Sequence, residues 1–307
     1  MSIIMRVLFS GLACLAIGCA TTIPRSQAES LSGYTYIPID PFPVKTVPGG
    51  SCSETETGAP KYLPLLQSLP DNAVRMMVES VNASGKVSYG PSSASVVGSF
   101  YKVTVDYIVA DTVNMPMWIS KSMVGNDNQL HAISLTEPVD ETLYRPGSEI
   151  FEVRRAKPDA ESGEAEFFFE FNIPVYVGIG IRATADVVTQ EAGAVISGLG
   201  VLGGEAEANR VSGSLIVQTL GVNGESISAA LPIQSELNKT TAQNAITAVA
   251  AIKALLYADD TGKSPRVVGL YLPFPGGKPL VNAIISELSK ERVEWSRPCE
   301  TTVGLEN

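Results

Sequence analysis

The groups able to do chemistry in this chain are few. His131 is the single histidine among 307 residues, and the four cysteines stand at Cys14, Cys19, Cys52 and Cys299. A Ser-His-Asp or Cys-His device must pass through His131, and no G-x-S-x-G turn presents a serine to it. Zinc centres draw on several His and Cys ligands, more than this sequence can gather. At the edge of a short strand, His131 reads as a hydrogen-bonded surface residue. Glu164, Glu166 and Glu170 offer carboxylates for acid–base work. Their even spacing sets them on one strand face, which is the pattern of a solvated face. No residue is therefore assigned a catalytic, cofactor-binding or metal-ligating role, and the chain reads as not an enzyme.

Glycine patterns invite a phosphate-binding reading. Gly198, Gly200 and Gly203 satisfy G-x-G-x-x-G, and Gly178 with Gly180 comes near it. Such glycines let a backbone approach a pyrophosphate at a helix start. After Gly203 too few residues remain before the next strand for a crossover helix, and Gly178 and Gly180 lie inside a continuous alternation. Gly262, Lys263 and Ser264 resemble the end of a phosphate loop, but Tyr257 stands where that loop needs glycine and Pro265 opposes the following helix. Asp259 and Asp260 read as a solvated turn. The net charge of −10 and the lack of a Lys/Arg cluster speak against nucleic acid as a partner.

At the N-terminus, Met1 to Arg6 carries one positive charge and Val7 to Ile17 is apolar and uncharged. That run falls short of the ~20 residues a membrane-spanning helix needs, and it has the length of a secretion signal. It ends at Leu15, Ala16, Ile17, Gly18 and Cys19. This junction resembles the lipobox of bacterial lipoproteins, with the usual leucine displaced by one place to Leu15. The resemblance covers the signal segment alone. It implies cleavage before Cys19, lipid carried on that thiol, and a lipid bilayer as the first partner. Ala20 is not the aspartate that such lipoproteins use for inner-membrane retention, so the resemblance points to the outer membrane.

With Cys14 removed in the signal and Cys19 acylated, Cys52 and Cys299 are left in an oxidising compartment with one possible pairing. A Cys52–Cys299 disulfide is expected, joining regions near the two ends of the mature chain.

Residues 1–18 thus form the signal, 19–60 a proline-rich tether, 61–299 a globular domain and 300–307 a tail. The tether holds Pro24, Pro38, Pro41, Pro43, Pro48 and Pro60. Parts of it, such as Tyr34 to Ile39, are expected to pack on the domain. Strand periodicity runs through 73–81, 99–110 and, less regularly, 113–120, 131–136 and 150–155. It is strongest over 166–188, where Ile173, Val175, Val177, Ile179 and Ile181 share one face and Tyr176, Arg182 and Asp186 the other. A returning strand covers 213–222, a turn at Asn223 and Gly224 leads into 225–231, and a further strand covers 266–272. Helical spacing over 241–257 and from Pro279 to about 290 predicts two helices around that last strand.

These elements predict an α+β fold, a largely antiparallel sheet with a C-terminal helix–strand–helix cap. Hydrophobic content of 45% against 18% charged suits a chain with a sizeable core. The expected function is a lipid-anchored, non-enzymatic binding or envelope-assembly module with a protein partner in the cell envelope. Two alternatives stand beside it: an oligomeric outer-membrane pore or secretion component, and a hydrolase with an unrecognised carboxylate site.

Overall fold

The computed structural model describes residues 35–50, 52, 61–81, 87–91, 100–135, 139–140, 142–159, 167–189, 211–223, 235–236, 257, 262–272, 274 and 277–300. The signal segment with Cys19, Glu164, Glu166, the glycines at 198–203, the turn after Asn223 with 225–231, the helical spacing at 241–256, Asp259, Asp260 and the tail from 301 lie outside the described residues.

In chain order the strands are β1 (Thr35–Pro43), β2 (Lys45–Pro48), β3 (Asp71–Val81), β4 (Val87–Pro91), β5 (Phe100–Val124), β6 (Leu130–Ile133), β7 (Ile150–Arg154), β8 (Phe169–Thr189), β9 (Val211–Leu220), β10 (Ser235–Glu236), β11 (Arg266–Leu272) and β12 (Glu294–Arg297). One short 3-10 turn, Leu65–Ser68, precedes β3, and one α-helix, α1 (Gly277–Lys290), lies between β11 and β12. The large sheet runs β1-β11-β8-β5-β3-β4 and every pairing in it is antiparallel. A separate parallel pair joins β2 to β12.

The spine is the ribbon of β5 and β8, 25 and 21 residues long, paired without interruption from Phe100↔Val188 to Ile119↔Phe169. Each spine strand divides its other edge between partners. On β8, β9 takes Gly180 to Thr189 and β11 takes Val175 to Gly178. On β5, β3 takes Phe100 to Ala110 and β7 takes Trp118 to Ser122. Asn114 and Pro116 fall in the β5 stretch between these two partners. A proline is tolerated where one edge has no ladder to interrupt. The sequence reading stopped near Ala110 and began a second strand at Val113, whereas the chain runs straight through.

The fold class is corrected here. The molecule is mostly β, and among the described residues one helix exceeds a single turn, so the α+β expectation with its helix–strand–helix cap does not hold. The physical reason is that the sheet covers much of itself. Every residue from Ile173 to Ala183 is buried, on both faces of β8. The alternation of β8 was read as a half-buried strand, yet its polar face is closed over as well. Gly178 and Gly180 permit this. A Cβ at Gly178 would stand 2.4 Å from the Val109 carbonyl oxygen, and one at Gly180 2.1 Å from that of Tyr107. Glycines at such positions let neighbouring backbones approach closely where a sheet bends. Their G-x-G spacing serves packing.

On the apolar face, Ile173, Val175, Val177, Ile179, Ile181, Ala183 and Val187 join Val103, Val109 and Met117 of β5 in one core. Leu280, Ile284 and Leu288 of α1 belong to the same core, and the helix is amphipathic at their spacing. Gly277 opens α1, so Pro279 sits within its first turn, where a missing N–H breaks no helical bond.

Most of the described part of the proline-rich segment is strand, in β1 and β2. β1 pairs along β11 from Thr35↔Leu272 to Pro43↔Arg266, with an irregularity between Pro38 and Phe42. Tyr36, Ile37 and Ile39 are buried.

Candidate functional site

Two places concentrate polar chemistry in the described residues. The first is the closed polar face of the sheet. Asp106 on β5 and Arg182 on β8 are direct cross-strand neighbours. Their side chains form a bidentate pair: Arg182 Nε donates to Asp106 Oδ1 and Nη2 to Oδ2, each at 2.7 Å. Both are dry, at 0% exposure for Asp106 and 4% for Arg182. The Tyr36 hydroxyl of β1 donates to Asp106 Oδ2 at 2.6 Å.

The rest of the Arg182 guanidinium serves the backbone. Nη1 donates to the Ile39 carbonyl at 2.6 Å and Nη2 to the Val268 carbonyl at 2.7 Å. Ile39 lies in the irregularity of β1, and Val268 in the register shift between Val267 and Gly269 of β11. Bulges take backbone groups out of the ladder, and a buried carbonyl without a donor is costly. Arg182 supplies the donors that both bulges need.

Tyrosines wall this centre. Tyr36 meets Tyr176 edge-on with centroids 5.9 Å apart and Tyr271 at 5.5 Å, and Tyr176 lies 5.4 Å from Tyr271. Arg75, also buried, donates to the Tyr176 hydroxyl at 3.2 Å and lies 5.5 Å from that ring's centroid. Burial, then the charge of Asp106, holds the Tyr36 hydroxyl well above its ordinary value. Burial alone would lower Arg182, but the hydrogen bonds and charge of Asp106 raise it on balance. Tyr36 thus stays neutral and Arg182 charged across the physiological range. These groups hold one another and the backbone.

The second place is the junction of the chain ends. Cys52 and Cys299 form a disulfide with Cα atoms 5.1 Å apart, within the span such a bond requires. The expected pairing is present. The C-terminal segment runs between two N-terminal ones. On one side β12 pairs with β2 from Glu294↔Lys45 to Arg297↔Pro48. On the other, Tyr62 bridges to Cys299, the Leu63 amide donates to the Pro298 carbonyl at 2.9 Å and the Glu300 amide to the Lys61 carbonyl at 2.9 Å. The Arg297 guanidinium donates to the Leu63 carbonyl and lies over the Tyr62 ring. Trp295 is 1% exposed, and its Nε1 donates to Asp111 Oδ2 at 3.0 Å, which fastens β12 to the spine.

The other residues singled out in the sequence are scattered. His131 stands on β6 with Nε2 at 3.0 Å from both oxygens of Asp127, at a partly exposed hairpin end. The Gln129 amide, then His131, holds the Asp127 carboxyl below the usual range. Gly262, at φ 73°, and Ser264 belong to a turn: the Asn223 amide donates to the Gly262 carbonyl at 2.7 Å and the Ser264 amide to that of Gly221 at 2.8 Å. Glu170 is exposed, opposite Trp118 on β5. His131, the turn at Gly262 and Ser264, and Glu170 are not brought together.

The sequence reading gave no functional role to Tyr36, Arg75, Asp106 or Arg182. A signal was there: one Arg and one Asp stand mid-strand in the two longest alternating stretches. Charges so placed need a partner once the face closes. No family model, curated protein or solved structure matches this chain.

Proposed function

We propose that this chain is an exported lipoprotein, cleaved before Cys19 and held by acyl chains on that cysteine, whose β domain acts as a non-enzymatic binding or envelope-assembly module. The observation that carries the reading is the Cys52–Cys299 bond. Structural disulfides persist in oxidising compartments outside the cytosol, which is where a lipobox directs a chain. Retention at a membrane takes more than one acyl chain, and this class of modification supplies several. Ala20, which is not the retention aspartate of such lipoproteins, supports the outer membrane as the destination that the lipobox resemblance implies.

The module reading is favoured over a pore by the burial of β8. A barrel strand in lipid keeps one face for hydrocarbon. From Ile173 to Ala183 both faces of β8 are covered by its own chain. The non-enzymatic reading draws on the polar centre, where Asp106, Arg182 and Tyr36 bond each other and the backbone. The test is crosslinking in intact envelopes followed by purification. The module reading expects one envelope protein captured with wild type and lost with Cys19→Ser, which leaves the membrane fraction. Large detergent-resistant rings of this chain alone would favour the pore and overturn the reading.

A further inference from the structure

We infer that the Cys52–Cys299 bond is a redox latch on β2: its reduction frees residues 45–49 from the C-terminal strand while the large sheet stays folded. The inference stands whether or not Cys19 is acylated.

The argument starts from how little else holds β2. Among the described residues β2 pairs with β12 alone, through four residues of parallel ladder. Parallel ladders are slightly weaker per residue than antiparallel ones, and among the described residues β2 is an edge strand that pairs on one side only. The side chains add little. Lys45, Thr46 and Pro48 are exposed and Val47 is half-buried. The Lys45–Glu294 ion pair has both side chains 60% exposed, and pairs in such positions contribute little.

Both neighbours of β2 are held independently. Towards the N-terminus, β1 buries Tyr36, Ile37 and Ile39, runs along β11, and is gripped from inside by Arg182 and Asp106. Release should therefore stop at Val44, between the two strands. On the opposite side β12 keeps Trp295 in the core and its bond to Asp111, and residues 298–300 that follow it keep their pairing with 61–63. The weak element thus lies between two strong ones, with the covalent bond at its far end. Cys52 is half-buried, whereas Cys299 is buried, so a thiolate would attack at the Cys52 sulfur. The step is an exchange with a dithiol. The S–S bond breaks, two electrons and two protons pass to Cys52 and Cys299, and the dithiol closes to its own disulfide. What reduction would expose is the β12 edge that β2 now covers.

Hydrogen exchange read by mass spectrometry on the full chain, folded oxidised and then treated with dithiothreitol, tests this. The reporters are the amides of Lys45 and Gly49, which donate to the carbonyls of Val293 and Arg297. The expected result is exchange at least about tenfold faster over 45–49, with β1 and β8 unchanged and protection restored on reoxidation. A Cys52→Ser/Cys299→Ser chain should match the reduced protein. Unchanged protection over 45–49 after reduction would overturn the inference. So would joint loss of protection in β1 and β8, because the bond would then staple the whole domain.

Discussion

Two regions of this molecule join its N-terminal segment to the rest, and they do so by opposite means. At β1 the joint is non-covalent and dry: Tyr36, Asp106 and Arg182 interlock under the sheet, and Arg182 satisfies two bulged carbonyls. A few residues on, at β2, the joint is covalent and shallow, a disulfide from half-buried Cys52 to buried Cys299 beside exposed side chains. The difference teaches where each kind of bond is worth having. A buried charged centre is specific, because every donor must meet its acceptor, but it contributes little net stability against a hydrophobic substitute. A disulfide acts largely by restricting the unfolded chain, and so can hold a segment that buries little.

Variants can break each side of this comparison. The largest effect belongs to the core that supports the dry joint. Ile179 is fully buried on the strand that carries Arg182, and Ile179→Asp should abolish cooperative folding, seen as loss of the urea transition. A stable, soluble Ile179→Asp monomer that fails to assemble in membranes would instead reinstate the pore. Next comes Asp106→Ala, which leaves Arg182 buried and unpaired and should cost about 3–5 kcal/mol in urea unfolding. An Asp106→Leu/Arg182→Met double variant should recover part of that loss, though the Ile39 and Val268 carbonyls would then lack a donor.

Tyr36→Phe should be milder, about 1.5–3 kcal/mol, because it removes one hydrogen bond to a charged group. It also carries a pH signature. The folded value of Tyr36 lies above the ordinary 10.0, so the native state keeps the proton longer than the unfolded chain does. That contribution is fully present below pH 10 and is lost as pH rises through the folded value. Wild type should weaken with pH in that alkaline window, and Tyr36→Phe should show a shallower slope. Smallest of all is His131→Ala. Its partner Asp127 is about half exposed, at 53%, so the pair is screened by water and the urea midpoint should not move measurably.

Much of this fold was legible because strand alternation is a direct record of burial. The strands at 73–81 and 166–188 are read from it within a few residues. The cysteine pairing followed from arithmetic. What escaped the sequence was closure. Alternation says that one face of β8 is apolar, and it cannot say that the other face will be covered too. Arg182 and Asp186 look alike in the pattern, yet Arg182 is buried beneath β1 and β11 while Asp186 is half-exposed. The prolines of 38–48 suggested a tether because they lack N–H groups. In the fold they occupy an edge strand and a short exposed strand, which tolerate that lack. The break read into β5 fell at Asp111 and Thr112, two polar residues that interrupt the apolar run while the strand continues through them.

The most direct test of the account is the mass of the mature N-terminal peptide, released by protease from chain purified out of membranes. The account predicts a peptide that begins at Cys19 and carries the mass of several acyl chains, and a Cys19→Ser chain that leaves the membrane fraction. An unmodified peptide that begins at Thr21 or Glu29, or one that retains Met1, would contradict it.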